Sequence, residues 1–393
     1  MSARDRRARR AVIGAFLVNG FLLATWVVNI PAIQQQSGVS HGVLGGLLLL
    51  LGLGSFVAMQ ATGWIVDRVG SRVATITGAA MLILATLTPP LATDPVTLAV
   101  AVFAIGLGNG TLDVAMNAHA VVVERRYRRP IMASFHAWFS VGGAIGAGFG
   151  ALGHALGWDL PMLFLVPVTI AAAAAAIALP GLLGHAEITP ATPHIDGPES
   201  GPVPGLARRA ILLGALAFML MLAEGVAADW SALHTREHLG ASESTAALAY
   251  AAFAIAMTAG RFAADSVAAR VGPVAIVRYG AAVAAVGLLV VTLSTAVPVA
   301  LGGWILFGLG LSGAVPQIFT AAGSLGAANA GVVMSRIVGA GYVGLLAGPA
   351  LIGWLAEGMT LSVAIAVPVV LCGAAVVLAS SVAVRQPAER VSA

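Results

Sequence analysis

Charge is what this chain has least of. Only 9% of its 393 residues are charged and 59% are hydrophobic, where a soluble domain carries about 25% charged and about 45 to 50% apolar residues. A water-soluble fold of this size could not cover its surface, so soluble enzymes and soluble binding modules are excluded. Lysine is missing altogether, all 20 basic residues being arginine. A phosphate-cradling glycine loop needs a lysine and a preceding strand, so Gly106-x-Gly108 is not a nucleotide site, and no cofactor is implied. The single cysteine, Cys372, excludes an intrachain disulfide. No nucleophile cluster or metal-ligand spacing is visible, so the chain does not read as an enzyme. A pI near 10.0 and a net charge of +4 would suit a nucleic-acid binder. The arginines, however, lie in short clusters between apolar runs, where a bilayer explains them better, and no nucleic-acid partner is expected.

Long apolar runs are what the chain does have. A spanning helix needs about 20 apolar residues to cross roughly 30 Å of hydrocarbon, and twelve stretches qualify. They run over 11–30, 43–66, 73–92, 96–118, 131–153 and 160–182, then 208–228, 245–264, 274–293, 298–320, 331–355 and 360–384. Five arginines precede the first run, which is too long for a signal peptide and lacks a small-x-small cleavage step, so it reads as a first span. Placing the N-terminus inside puts Arg68, Arg72, the Glu124 to Arg129 run, Arg208, Arg209, Arg270, Arg278, Arg385 and Arg390 on the cytoplasmic side, with Arg236 outside. That asymmetry satisfies the positive-inside rule, with both termini cytoplasmic in a bacterial inner membrane.

Residues 184–207 are rich in Pro and Gly and read as a linker between six-span units at 1–183 and 208–393. Its His185, Glu187, His194, Asp196 and Glu199 match no metal-ligand spacing. The two halves echo each other about 200 residues apart. Gly106-Leu-Gly108 recurs as Gly308-Leu-Gly310, the Gly142 to Gly148 cluster as Gly344 to Gly353, Gly63-x3-Asp67 as Gly260-x4-Asp265, and Trp26 as Trp230. Four matches in one order indicate a parallel duplication about an axis along the membrane normal.

The polar turn Gly63-Trp-Ile-Val-Asp67-Arg68-Val-Gly70-Ser-Arg72 follows span two. With twelve spans and a central linker, it resembles the loop signature of the major facilitator superfamily, with Val66 and Ser71 departing from the pattern. Span four (Gly106 to Ala120), Pro130 to Ser140, Leu222 to Ser231, and Gly341 to Pro349 resemble the MosC-like branch, named after a transporter linked to an inositol-derived amine. The resemblance implies an all-α membrane fold of two six-helix bundles and secondary transport. The Arg-x-x-Gln-Gly proton-linked pattern is missing from span four, and so is the Gly-Pro step of drug antiporters from span five.

An ionisable group at mid-span costs about 2.5 to 3.5 kcal/mol on insertion scales, so each needs a reason. Asp113 shares a helix face with Asn117 and Asn109 and is the first candidate for binding a proton, with Glu224 in span seven and His136 in span five as further candidates. The expected substrate cavity is lined by Trp26, Asn29, Asn109, Asn117, Trp138, Gln317 and Tyr342. Pro316 is expected to break span ten and expose carbonyls beside Gln317. Gly63, Asp67, Arg68, Gly70 and Arg72, together with Asp265, Arg270 and Arg336, form the expected gate, with Asp67 holding arginine side chains. Arg336 reads as the isolated base placed to meet Asp67 or Asp113. The function expected is proton-coupled uptake of a sugar, polyol or similar metabolite by a monomer; drug efflux and a non-transporting sensor are the alternatives.

Overall fold

The structure is a computed structural model and describes residues 2–39, 41–184, 187, 205–325 and 330–383. Of the linker residues named above, only Glu187 falls within them; His185, His194, Asp196 and Glu199, and the terminal Arg385 and Arg390, lie outside. Every regular element among the described residues is helical. The first half contains α1 (Ala3–Val28), α2 (Ile30–Ser37), α3 (His41–Val69), α4 (Ser71–Thr86), α5 (Pro95–Tyr127), α6 (Met132–Ala155) and α7 (Leu160–Ala178). The second contains α8 (Leu206–Leu239), α9 (Glu243–Val271), α10 (Pro273–Leu293), α11 (Val297–Leu311), α12 (Ala314–Gly323), α13 (Ala330–Ala356) and α14 (Leu361–Leu378).

Eleven described helical stretches are long and apolar enough to cross a membrane. The twelfth crossing is α6, whose 24 residues carry Ser134, His136, Ser140 and a run of glycines that dilute its hydrophobicity. Side chains such as Leu49, Leu84, Val100, Ile177, Leu293 and Val377 are exposed on the outer surface, where lipid solvates them. The result is a twelve-span fold of two six-helix bundles.

The duplication is visible in the turns. Gly70 and Gly272, each between the second and third spans of its half, share φ near +85° and +82° with extended ψ, a conformation only glycine enters freely. Inside each half, glycine allows the first and fifth spans to touch. A Cβ on Gly142 would collide with the carbonyl of Leu17, and one on Gly344 with that of Phe218. Small residues serve this purpose in membranes because packing, not the hydrophobic effect, holds helices together there.

The halves also differ, and the sequence explains one difference. Span one breaks at Asn29 because Pro31 follows, giving α1 and α2, whereas α8 runs unbroken for 34 residues to Leu239. Span ten breaks as expected, but at Ser312 and Gly313; Pro316 sits in the first turn of α12, where its missing N–H leaves no bond unmade. Another expectation is corrected at α5. Its 33 residues reach about 50 Å at 1.5 Å each, so the Glu124 to Tyr127 segment is helix, not loop.

Candidate functional site

Three side chains of α5 and one of α13 meet where the bundles face each other. Asn109, Asp113 and Asn117 stand four apart along α5, and all are buried. Asn109 Nδ2 donates to Ser55 Oγ at 3.3 Å, and Ser55 Oγ in turn donates to the Gly106 carbonyl. Asn117 Nδ2 donates to the Asp113 carbonyl at 2.9 Å and to Asp113 Oδ1 at 3.3 Å. Because every partner is an acceptor, or has its own proton committed elsewhere, the amide orientations are fixed. The remaining acceptors on this face are Asn109 Oδ1, Asn117 Oδ1 and Asp113 Oδ2, and the Tyr342 hydroxyl of α13 is placed to donate to Asp113. Across the seam, α13 sets Tyr342 facing Asp113 and Asn109. From α12, Gln317 is 2% exposed, with its Nε2 donor unmatched.

A second polar group lies nearby. Arg261 of α9 is 7% exposed and donates to Ser140 Oγ of α6 at 2.8 Å and to Glu224 Oε1 of α8 at 3.3 Å. His136 is packed between Phe16 and Phe319, with ring centroids 5.2 and 5.7 Å away, and its Nε2 has no partner. Trp138 meets Phe262 edge-on at 5.9 Å, adding an apolar contact between α6 and α9.

At the end of the seam where the chain begins, two aspartates cap helices of the opposite half. Asp67, on α3, accepts from the Gly331 and Val332 amides at 2.7 and 3.0 Å, at the start of α13. Asp265, on α9, accepts from the Ala133 and Ser134 amides at 2.9 and 2.7 Å, at the start of α6. A carboxylate there meets unsatisfied N–H groups and the positive end of the helix dipole together. Glu124 of α5 joins this layer. Its Oε1 accepts from the Ile131 and Met132 amides, and Oε2 accepts the Thr320 hydroxyl of α12 at 2.6 Å.

Residues 12–230, more than half of the chain, match the family described as the Major Facilitator Superfamily. The chain belongs to that superfamily. Among curated proteins it is 36% identical over 351 residues to an uncharacterized MFS-type transporter of Yersinia pestis, covering 89% of each chain. It is 29% identical over 357 residues to membrane protein MosC of Rhizobium meliloti, covering 89% of this chain and 84% of MosC. Among solved structures it superimposes on FucP in the outward conformation with a TM-score of 0.77 at 15% identity, covering 95% of this chain and 98% of FucP. A second structure names FucP the E. coli fucose:proton symporter. This superfamily transporter is not an enzyme.

Within the superfamily fold, the expected gate needs one correction. Asp67 holds backbone amides, not arginine side chains. Arg336 is exposed, and among the described residues no ion pair joins it to Asp67 or Asp113. Arg68 instead lies over the Trp64 ring at 3.6 Å, Arg270 is exposed, and Arg72 lines a groove between α4 and α7, away from the seam. Gly63 belongs to the gate by contact, since a Cβ on it would run into Ser335 and the Gly331 carbonyl. Gly70 shapes the turn to α4.

Two expected cavity residues sit elsewhere. Trp26 is 2% exposed in the core of the first half, and Asn29 is buried at the break after α1, donating to the Thr25 carbonyl. Trp230 donates to the Pro349 carbonyl and borders a separate cavity of about 570 Å³ at the far end of the second half. His119 is a brace: Leu183 N–H donates to its Nε2 and Ser71 Oγ bonds its Nδ1.

Arg261 and Glu124 were not singled out from sequence. Arg261 had a readable signal, an arginine deep in a span, one helical turn before Asp265 and on the same face.

Proposed function

We propose that this chain is a secondary transporter working by alternating access, carrying a small hydroxylated metabolite such as a sugar or polyol into the cell with a proton. The observation that carries this reading is a set of buried polar groups with unused hydrogen-bonding capacity: Asn109 Oδ1 and Asn117 Oδ1 beside Asp113 on α5, and Gln317 Nε2 on α12. Buried polar groups are nearly always matched, and an unmatched one costs about 1 to 3 kcal/mol, so a group of them is retained for a ligand. An acceptor-rich face suits the donor-rich surface of a hydroxylated cargo. The likeness to FucP, named a fucose:proton symporter, supports the same reading.

In this reading the two bundles comprise residues 1–183 and 208–393, joined by 184–207, and the protein acts as a monomer in a bacterial cytoplasmic membrane with both termini inside. Arg4, Arg6, Arg7, Arg9 and Arg10 at the start of α1 support that orientation. The Asp67 and Asp265 caps then lie at the cytoplasmic end and hold it shut. Asp113 is the group expected to take up the proton, with Glu224 and His136 nearby.

The test is uptake into proteoliposomes under an imposed pH gradient. Import driven by inward protons, lost or uncoupled in Asp113→Asn with cargo binding retained, is the expected outcome. Drug-stimulated proton release from the vesicles overturns the uptake reading in favour of efflux.

A further inference from the structure

Arg261 stands out among the buried groups because its charge is only half used. Two of its nitrogens are engaged, Nη1 with Ser140 and Nη2 with Glu224, while Nε is buried and has no partner. His136, whose Nε2 is also unmatched, comes from α6, the helix that carries Ser140. Two orphaned nitrogen positions therefore accompany one guanidinium, and a guanidinium donates in a planar fork that matches a carboxylate. The Glu224 contact is a single 3.3 Å approach, longer than the 2.7 to 2.9 Å typical of a charge-assisted bond. Glu224 is 21% exposed at the side chain against 9% for Arg261, so the acid is the more accessible partner of the pair.

We propose that Arg261 is the anchor for a carboxylate on the cargo, and that Glu224 holds this place until it takes a proton. The cargo is then a hydroxylated acid, an aldonate or uronate, and not a neutral sugar. This rests on the proton-coupled reading above and narrows its substrate class.

The charge balance supports the assignment. With Glu224 ionised, the Arg261 pair is neutral and a cargo carboxylate would enter as a surplus charge. When a proton from the outer water neutralises Glu224, Arg261 is left as a buried unpaired cation, an expensive state that an entering carboxylate relieves. Release inside reverses both steps: the proton leaves Glu224 to the inner water, Glu224 reclaims Arg261 and the carboxylate departs. The Glu224 proton offsets the charge of the cargo, so the exchange at Arg261 is itself electroneutral, and the proton on Asp113 adds one positive charge per cycle. Facing Glu224 on its neighbours are Arg261 and Tyr250 of α9 and Tyr342 of α13, so Arg261 is the one cation among them. Because Arg261 also bonds Ser140 across the seam, cargo binding acts directly on the contact between α6 and α9.

The experiment uses the full-length protein with D-gluconate, D-glucuronate, D-glucose and myo-inositol as probes. Binding is measured by calorimetry in detergent at pH 5.5 and 7.5, and uptake is measured in proteoliposomes. The wild type is expected to bind one of the acids more tightly at the lower pH. Glu224→Gln is expected to bind that acid about tenfold or more tighter at pH 7.5 and to lose the pH dependence, the scale of one hydrogen bond to a charged group. A gain of this kind cannot arise from misfolding. Arg261→Gln is expected to lose the acid while its elution and melting profiles remain those of a folded protein. Uptake should follow the pH gradient and increase under an inside-negative potassium diffusion potential. If neutral sugars are carried with protons and the acids are not, the inference fails while the symport reading stands. If Glu224→Gln leaves acid binding unchanged, the inference fails. If an acid binds with this pattern but never moves with protons, the anchor stands and the symport reading fails.

Discussion

The two aspartate caps perform the same contact in different surroundings. Asp67 is exposed, at the rim of the bundle and three residues before the turn glycine Gly70. Asp265 is 8% exposed, seven residues before Gly272, and so lies one helical turn deeper. Each accepts from two amides at the start of a helix in the other half. Screening by water and salt weakens the outer cap, whereas the inner one works where an unpaired amide has no water to turn to. One half of the gate is thus a rim contact that water can replace, and the other is a buried contact that must be broken outright. Opening is expected to begin at α3 and α13 and to be completed at α6 and α9.

The largest effect expected is from removing the buried cap. Asp265→Ala strands two buried amides at about 1 to 3 kcal/mol each, whereas Asp67→Ala, at an exposed helix start, costs about 1 kcal/mol. Distances between spin labels at Arg128 and Arg270 report the consequence, with a substantial open population in Asp265→Ala and a small one in Asp67→Ala. Equal populations would erase the distinction between the caps.

An intermediate effect is expected at Gly331. A Cβ there would stand 2.7 Å from Asp67 Oδ1 and overlap the Gly63 carbonyl, so Gly331→Ala wedges α3 from α13 at a cost of about 1 to 3 kcal/mol. It should open the rim more than Asp67→Ala does, because it removes the close approach as well as the cap. A Gly331→Ala distance distribution matching the wild type would show that the rim contact is loose already.

The smallest effect serves as a reference that does not cross the seam. Glu187, in the linker and bound to Arg4 of the first half, is held at about 2 by the hydrogen bond from Arg4, by the Gly184 amide and by the Arg4 charge. A carboxylate lowered in the folded state stabilises it above the ordinary value near 4.5 and loses that contribution as the pH falls toward 2. The pair is about a third exposed, so its worth is under about 1 kcal/mol. Melting of wild type and Glu187→Gln should differ slightly at pH 6 and converge by pH 2, with label distances across the seam unchanged in both.

Sequence carried the architecture well because each span announces itself by length and apolarity, and the turn after span two by its charges. The acids were legible too, since Asp113, Glu224, Asp67 and Asp265 each stand out against an apolar background. Partners were harder to read. Asp67 looked matched to an arginine because side chains are what a sequence displays, while the amides it holds belong to every residue and are exposed only by a helix start. Glu124 was absorbed into a basic loop because helix ends extend beyond the apolar stretch that reveals them. Arg261 was lost by counting arginines per loop; read by helical spacing, it would have fallen on the face of Asp265.

Helix α6 combines two properties with a joint consequence for biogenesis. It is the crossing that lacks a long, strongly apolar stretch like those of the other eleven, and it is the helix held by Asp265 at its start and by Arg261 at Ser140. Insertion machinery passes a segment into lipid according to its hydrophobicity. A nascent α6 therefore enters the bilayer as a dependant of α5 and α7, and its polar face stays unsheltered until α9 has been synthesised more than a hundred residues later.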